Sequence, residues 1–309
     1  MFRAVIGHDR QKRLLEKLRS AKNIPQALLF EGSDGIGKQL VAKAFATKIV
    51  DNDLNRLRII DRLPDKKNIS IDQIRELKHE AILTGFSEGM RVFIINNADK
   101  MTTEAANSFL KILEEPPREV CFFLISGSPE ALPETILSRA LRLKFNELAR
   151  VDAVQALMNA GADKSLAVQC TNLAGGNVAT ARKLCSYGQE LIELSIRWYK
   201  SIVTGGYAAI YDICEQFGKI NSEDKEKAAL LLLLLRLQVR DLLYSACEIN
   251  RTNFSTAPVA SGQANIDMAL AADNCFTVAE RAINGNANFR LTTEKLFIEI
   301  QDLFSQNPH

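Results

Sequence analysis

The stretch LLFEGSDGIGKQL, residues 28–40, constrains this chain more than any other: an apolar run, a glycine-rich loop and a helix-forming segment follow one another without a break. Gly32, Gly37 and Lys38 fit the pattern G-x-x-x-x-G-K, and Gly35 adds a further permissive position. Glycines let backbone N–H groups approach phosphate oxygens, the following helix offers its positive end, and the lysine reaches for the outer phosphates. The bland alternative is a tight strand-to-helix turn that binds nothing.

The surrounding sequence supplies the context this loop requires. Strands are expected at Ala27–Phe30, Arg56–Ile60, Arg91–Asn96, Val120–Ser126 and Leu141–Phe145, with near-continuous apolar runs among them. Helical patterns lie between them: QLVAKAFATKIV after the loop, a segment opened by Ser70, and TTEAANSFLKILEEPP, which Thr102 or Thr103 caps and Pro116-Pro117 ends. Repeated alternation with apolar strands predicts an α/β fold, a parallel sheet covered on both faces. After Phe145 the strand signal stops. The expected organisation is a P-loop α/β domain over 1–146, a small helical domain over 147–186 and an all-α domain over 187–309.

Composition excludes several classes. With 309 residues, 47% hydrophobic and 25% charged, the chain is long enough for a large core and reads as an ordinary soluble protein. The start, MFRAVIGHDRQKR, is charged within three residues and has no apolar h-region, so neither a secretory signal nor an anchor is expected. The longest apolar run, Ala228–Leu235, is far short of the roughly 20 residues of a membrane span and reads as a core helix. Six cysteines without a CxxC pair argue against a zinc module or a disulfide framework and for a reduced, cytoplasmic chain. A net charge of +2 does not predict unspecific nucleic-acid binding.

Hydrolysis needs more than a phosphate cradle. A hydroxyl after the lysine and a carboxylate at the end of a later strand hold Mg²⁺ and orient water. Here the first position is Gln39 and the strand VFII ends in Asn96-Asn97. Losing a general base removes about 10²–10⁴ in rate. Asp99, three residues on, is expected in the turn before the Thr102 cap and is a poor substitute.

Five segments, LLFEGSDGIGK, ISIDQIRELK, VFIINNADKMTTEAANSFLKILEEPP, SPEALPETILSRA and NGNANFRLTTEKLFIEI, together resemble the delta-prime subunits of bacterial DNA polymerase III clamp loaders, with the related motor subunits next. The resemblance implies an AAA+ P-loop domain, a helical lid and a helical collar that joins subunits into a five-membered ring. The implied partners are gamma/tau motor subunits, the delta subunit, the sliding clamp and primed DNA. It further implies that Arg139, presented with Ser138, enters the ATP site of the neighbouring subunit; the third residue of that motif is Ala140 rather than cysteine. Read without the family, Arg139 is a solvated residue leading into a strand.

The expected function is therefore a non-hydrolysing stator within the polymerase holoenzyme. Its loop residues Gly32, Gly35, Gly37 and Lys38 are either vestigial or retained for ATP or ADP binding without hydrolysis. The alternatives are an ATP-hydrolysing clamp-loader motor and a P-loop scaffold outside replication. In the lid, Ala179 stands where motors carry a phosphate-sensing arginine, with Arg182 one turn on. Most delta-prime chains carry a four-cysteine zinc insert; Ile49–Ile60 has no cysteine, so no zinc is expected. His8, His79 and His309 are expected at the surface, and Trp198 in helix packing. Lys100, Lys111 and Arg118 are candidates to face duplex DNA, with a solvated helix face as the plainer reading.

Overall fold

The computed structural model describes residues 2, 5–63, 66–83, 89–249, 253–254 and 266–305. Within it the chain divides into two units: residues 1–156 with 176–179, and residues 157–175 with 180–309.

The first unit is built on a sheet of five parallel strands, β1 (Ala27–Glu31), β2 (Leu57–Ile60), β3 (Arg91–Ile95), β4 (Val120–Ser126) and β5 (Leu141–Lys144), in the order β2-β3-β4-β1-β5. Every residue of β1, β3 and β4 is buried, as the apolar runs require of strands covered on both faces. On one face α1 (Asp9–Ser20) contributes Leu15 and α2 (Lys38–Ile49) contributes Val41, Ala42 and Phe45 to a cluster with Phe30, Phe123 and Phe145. On the other, Ile74 and Leu77 of α3 (Ile71–Leu83) and Phe109 of α4 (Thr103–Glu114) pack on Phe93 and Phe122.

Local chemistry sets the helix starts. Ser70 and Gln73 form a reciprocal capping box at α3: the Gln73 N–H donates to Ser70 Oγ (3.4 Å) and the Ser70 N–H to Gln73 Oε1 (3.1 Å). Thr102 caps α4 by accepting from the Ala105 N–H at 3.2 Å. A short helix, α5 (Glu134–Leu137), leads into β5, and α6 (Arg150–Asn159) follows the sheet.

The second unit is helical among the described residues. It contains α7 (Lys164–Leu173), most of α8 (Val178–Thr204), α9 (Gly206–Glu223), α10 (Lys225–Ala246), α11 (Ile266–Asn284) and α12 (Phe289–Ser305). Helix α8 is interrupted at Gly188, whose φ of 72° and ψ of −172° leave the helical region. The run Ala228–Leu235 lies on α10 with most of its side chains buried, as a core helix. Trp198 packs edge-on against Phe217 at 5.4 Å, and Phe217 stacks on Phe297 at 6.0 Å. Its place is in helix packing, as expected. No described helix is long and apolar enough to cross a membrane. All six cysteines are free thiols. His309 lies outside the described residues.

Candidate functional site: a phosphate loop and the strand ends around it

The glycine-rich loop joins β1 to α2 at the carboxyl edge of the sheet, where ligands of open α/β sheets bind. Gly32, Gly35 and Gly37 have φ of 141°, 81° and 101°, a region L side chains avoid. A Cβ on Gly32 would sit 2.3 Å from the Phe145 carbonyl oxygen, so the loop depends on glycine there for space as well as for φ. Lys38 opens α2 but its ammonium turns back into the loop. It donates to Gly32 O and to Ser33 O (2.7 Å) and lies 3.4 Å from Asp34 Oδ1. The side chain is 4% exposed. Burial lowers its pKa below the ordinary lysine value, with Asp34 and Asp99 opposing the shift.

Three further groups close on the same loop. Asn177 Nδ2 donates to Asp34 O at 2.6 Å, and the Ala179 N–H donates to Gly35 O at 3.0 Å. His8 Nε2 lies 2.7 Å from Ile36 O, which fixes the proton on that nitrogen, and its ring meets Phe145 edge-on at 4.9 Å. His8 is thus half-buried at the loop, contrary to the surface position expected of it. Burial lowers its pKa, the bond to Ile36 opposing. His79 is exposed, as expected.

At the adjacent strand end, Asn96 and Asn97 occupy the positions where carboxylates were sought. Parallel pairing of Ile60 with Ile95 brings Asp61 level with them. Asn96 Nδ2 donates to Asp61 Oδ2 (3.2 Å) and Asn97 Nδ2 to Asp61 Oδ1 (2.8 Å). Both amides are therefore held by one carboxylate. Asn96 Oδ1 is buried with no hydrogen-bond partner among the described residues, a cost of order 1–3 kcal/mol. Gln39 is exposed on the first turn of α2. The set offers no hydroxyl at position 39 and no carboxylate at 96 or 97, the groups that hold Mg²⁺ in a hydrolysing site of this kind. No cluster of three or more metal-ligating side chains occurs among the described residues.

Asp99 lies in the 3-10 turn Ala98–Lys100, before the Thr102 cap as expected. Its side chain, however, is only 5% exposed and points inward. The Gly127 N–H donates to Asp99 Oδ1 at 3.1 Å. Burial would raise its pKa, but hydrogen bonds from the Ser126 hydroxyl, the Gly127 N–H and Lys100 hold it below the ordinary value. The inward carboxylate was not legible from the spacing, because it depends on where the end of β4 lies.

Arg139 follows the short helix α5. Its guanidinium donates to Thr135 O (3.1 Å) and pairs with Glu114 Oε1 (3.3 Å), with both side chains of the pair 40% or more exposed. Ser138 Oγ donates to the same Thr135 carbonyl at 3.1 Å. An exposed pair of this kind is worth about 0–1 kcal/mol, so little holds the guanidinium down. Lys100, Lys111, Arg118 and Arg182 are exposed; Lys100 pairs with Asp99 at 3.3 Å. Ala179 carries no charge to the loop, and its contribution there is the backbone bond to Gly35.

Residues 53–149, which span β2 to β5 and include Asn96, Asn97 and Arg139, match the family model described as DNA polymerase III, delta subunit. The chain is 34% identical over 158 residues to the DNA polymerase III subunit delta' of Bacillus subtilis, covering 45% of this chain and 47% of that protein. It is 27% identical over 164 residues to the tau subunit of the same organism, covering 48% and 29% respectively. The chain thus spans less than half the length of these curated relatives. A crystal structure of a DNA polymerase III gamma subunit-related protein from Thermotoga maritima superposes with a TM-score of 0.54 at 20% identity, over 94% of this chain and 99% of that one, and shares its fold. The shared fold is an α/β unit on a five-stranded parallel sheet followed by helices. Over residues 53–149, which include the Ser138-Arg139 turn, the chain is thus similar in sequence to DNA polymerase III subunits, and over a stretch of 158 residues it is 34% identical to a delta' subunit.

Proposed function

We propose that the chain is a delta-prime-like stator of a clamp loader: it does not hydrolyse ATP itself, and it lends Arg139 to the ATP site of a neighbouring motor subunit. The observation that carries this reading is the state of the β3 end. Asn96 and Asn97 both spend their amides on Asp61, and position 39 is an exposed glutamine, so these three positions do not supply the hydroxyl and carboxylates that hold Mg²⁺ and activate water. The partners proposed are gamma/tau and delta subunits in a five-membered ring, the sliding clamp and primed DNA. Arg139 suits the role because a planar, permanently charged fork meets phosphate oxygens bidentately, and its present ion pair is weak enough to exchange.

The experiment compares ATP turnover by the isolated chain with turnover by the reconstituted complex carrying Arg139→Ala. No turnover by the isolated chain, together with loss of about 10³-fold or more in the complex, is expected. Turnover by the isolated chain at rates typical of motors would overturn the stator reading. The second reading, an ATP-hydrolysing motor, draws on the similarity to tau and predicts that opposite result.

A further inference from the structure

Five successive carbonyls of the phosphate loop each have a donor from this chain. Lys38 serves Gly32 and Ser33, Asn177 serves Asp34, the Ala179 N–H serves Gly35, and His8 serves Ile36. Two of these assignments conflict with phosphate binding. A lysine in this motif has to extend towards the outer phosphates, whereas Lys38 is drawn in among the carbonyls and paired with the Asp34 carboxylate. That carboxylate, 80% exposed on the loop, supplies the negative charge a phosphate would otherwise bring, and it repels phosphate oxygens approaching the same lysine. It also stands close to the end of β4, since a Cβ on Gly127 would lie 2.6 Å from Asp34 Oδ1.

The second conflict is steric. Residues Gly176–Ala179 belong to the same unit as the loop and lie directly on Gly35. A Cβ on Gly35 would be 2.4 Å from Asn177 Oδ1 and 2.8 Å from the Ala179 Cβ, so no space separates the two segments. Through its bond to Asp34 O, Asn177 fixes the peptide whose side chain faces Lys38.

We propose that Asn177 and Asp34 form a latch that keeps the phosphate loop closed on its own lysine, and that a nucleoside diphosphate or triphosphate enters only when the 176–179 segment lets go. Asn177 holds the loop backbone, Asp34 holds the lysine, and the two act together because they share one residue. The latch governs occupancy of the loop and stands apart from hydrolysis: a chain that binds nucleotide after the latch opens still lacks the acids needed to cleave it.

The test is titration of ADP into the full chain, followed by calorimetry, for the parent, Asn177→Ala, Asp34→Asn, and each of these combined with Lys38→Ala. Asn177→Ala and Asp34→Asn are each expected to bind ADP about tenfold tighter than the parent, the scale of removing one close like charge or one short contact near the surface. Adding Lys38→Ala is expected to abolish both gains. Equal or weaker binding by the two single variants, including no binding by any chain, overturns the latch. So does a gain in only one of them, or a gain that survives Lys38→Ala. Asp34→Asn is isosteric at an exposed position, and thermal melts within a few degrees of the parent show that each variant is folded.

Discussion

The two cationic side chains most relevant to phosphate chemistry are kept in opposite conditions. Lys38 is 4% exposed and satisfied by two carbonyls and a carboxylate, whereas Arg139 is 40% exposed and held by the Thr135 carbonyl and a weak pair with Glu114. Both follow from where the backbone puts them. The loop curls over Lys38 because three glycines allow positive φ, while the short helix α5 ends at Ser138 and leaves the next side chain outside the packed core. The contrast teaches that one charge is enclosed by the chain's own loop and the other is left at the surface.

Four measurements break or sharpen that contrast. The largest effect is expected from Arg139→Ala in the reconstituted complex. Turnover falls by about 10³–10⁵, while the stability of the chain itself changes by less than about 1 kcal/mol. A large loss of stability instead would make Arg139 a structural residue. Next, Gly32→Ala is expected to destabilise by about 2–4 kcal/mol in urea unfolding, because it adds a steric overlap with Phe145 O to a backbone at φ 141°. A neutral result would show that the loop is not held by its backbone.

Asp99→Ala is expected to cost about 1–3 kcal/mol, since it leaves the Gly127 N–H and the Ser126 hydroxyl without their acceptor. Its pH dependence has a definite sign. The folded pKa lies below 3.8, so the stabilisation is present above that value and is lost as the pH falls through the folded one. Acid unfolding curves of parent and variant should therefore converge at low pH. The smallest effect belongs to Glu114→Ala. It is expected to change stability by less than about 1 kcal/mol and to leave turnover of the complex intact, because the proposed engagement would take Arg139 off this exposed partner.

Much of the first unit was legible in the sequence. The strand Val120–Ser126 is found at its expected bounds, and Ser70 and Thr102 open their helices, because apolar runs and caps are local signals. What the sequence could not show is lateral. Asp61 joins the site only through the register that sets Ile60 against Ile95, and register between parallel strands separated by a helix leaves no mark in spacing. His8 was misjudged for the same reason: its partners, Ile36 and Phe145, are 28 and 137 residues away. Asp99 was placed correctly in its turn, yet its inward direction depends on Gly127 across the sheet.

Asp61 also bears on any attempt to place acids at this strand end. Carboxylates at 96 and 97 would set three acids side by side where two amides now bind one, and like charges at that separation resist joint ionisation. The asparagines and the aspartate are coupled: acids at 96 and 97 call for neutralising Asp61 in the same step. Each acid introduced singly gives up an amide bond for a repulsion, so the three positions change together or at a cost in stability.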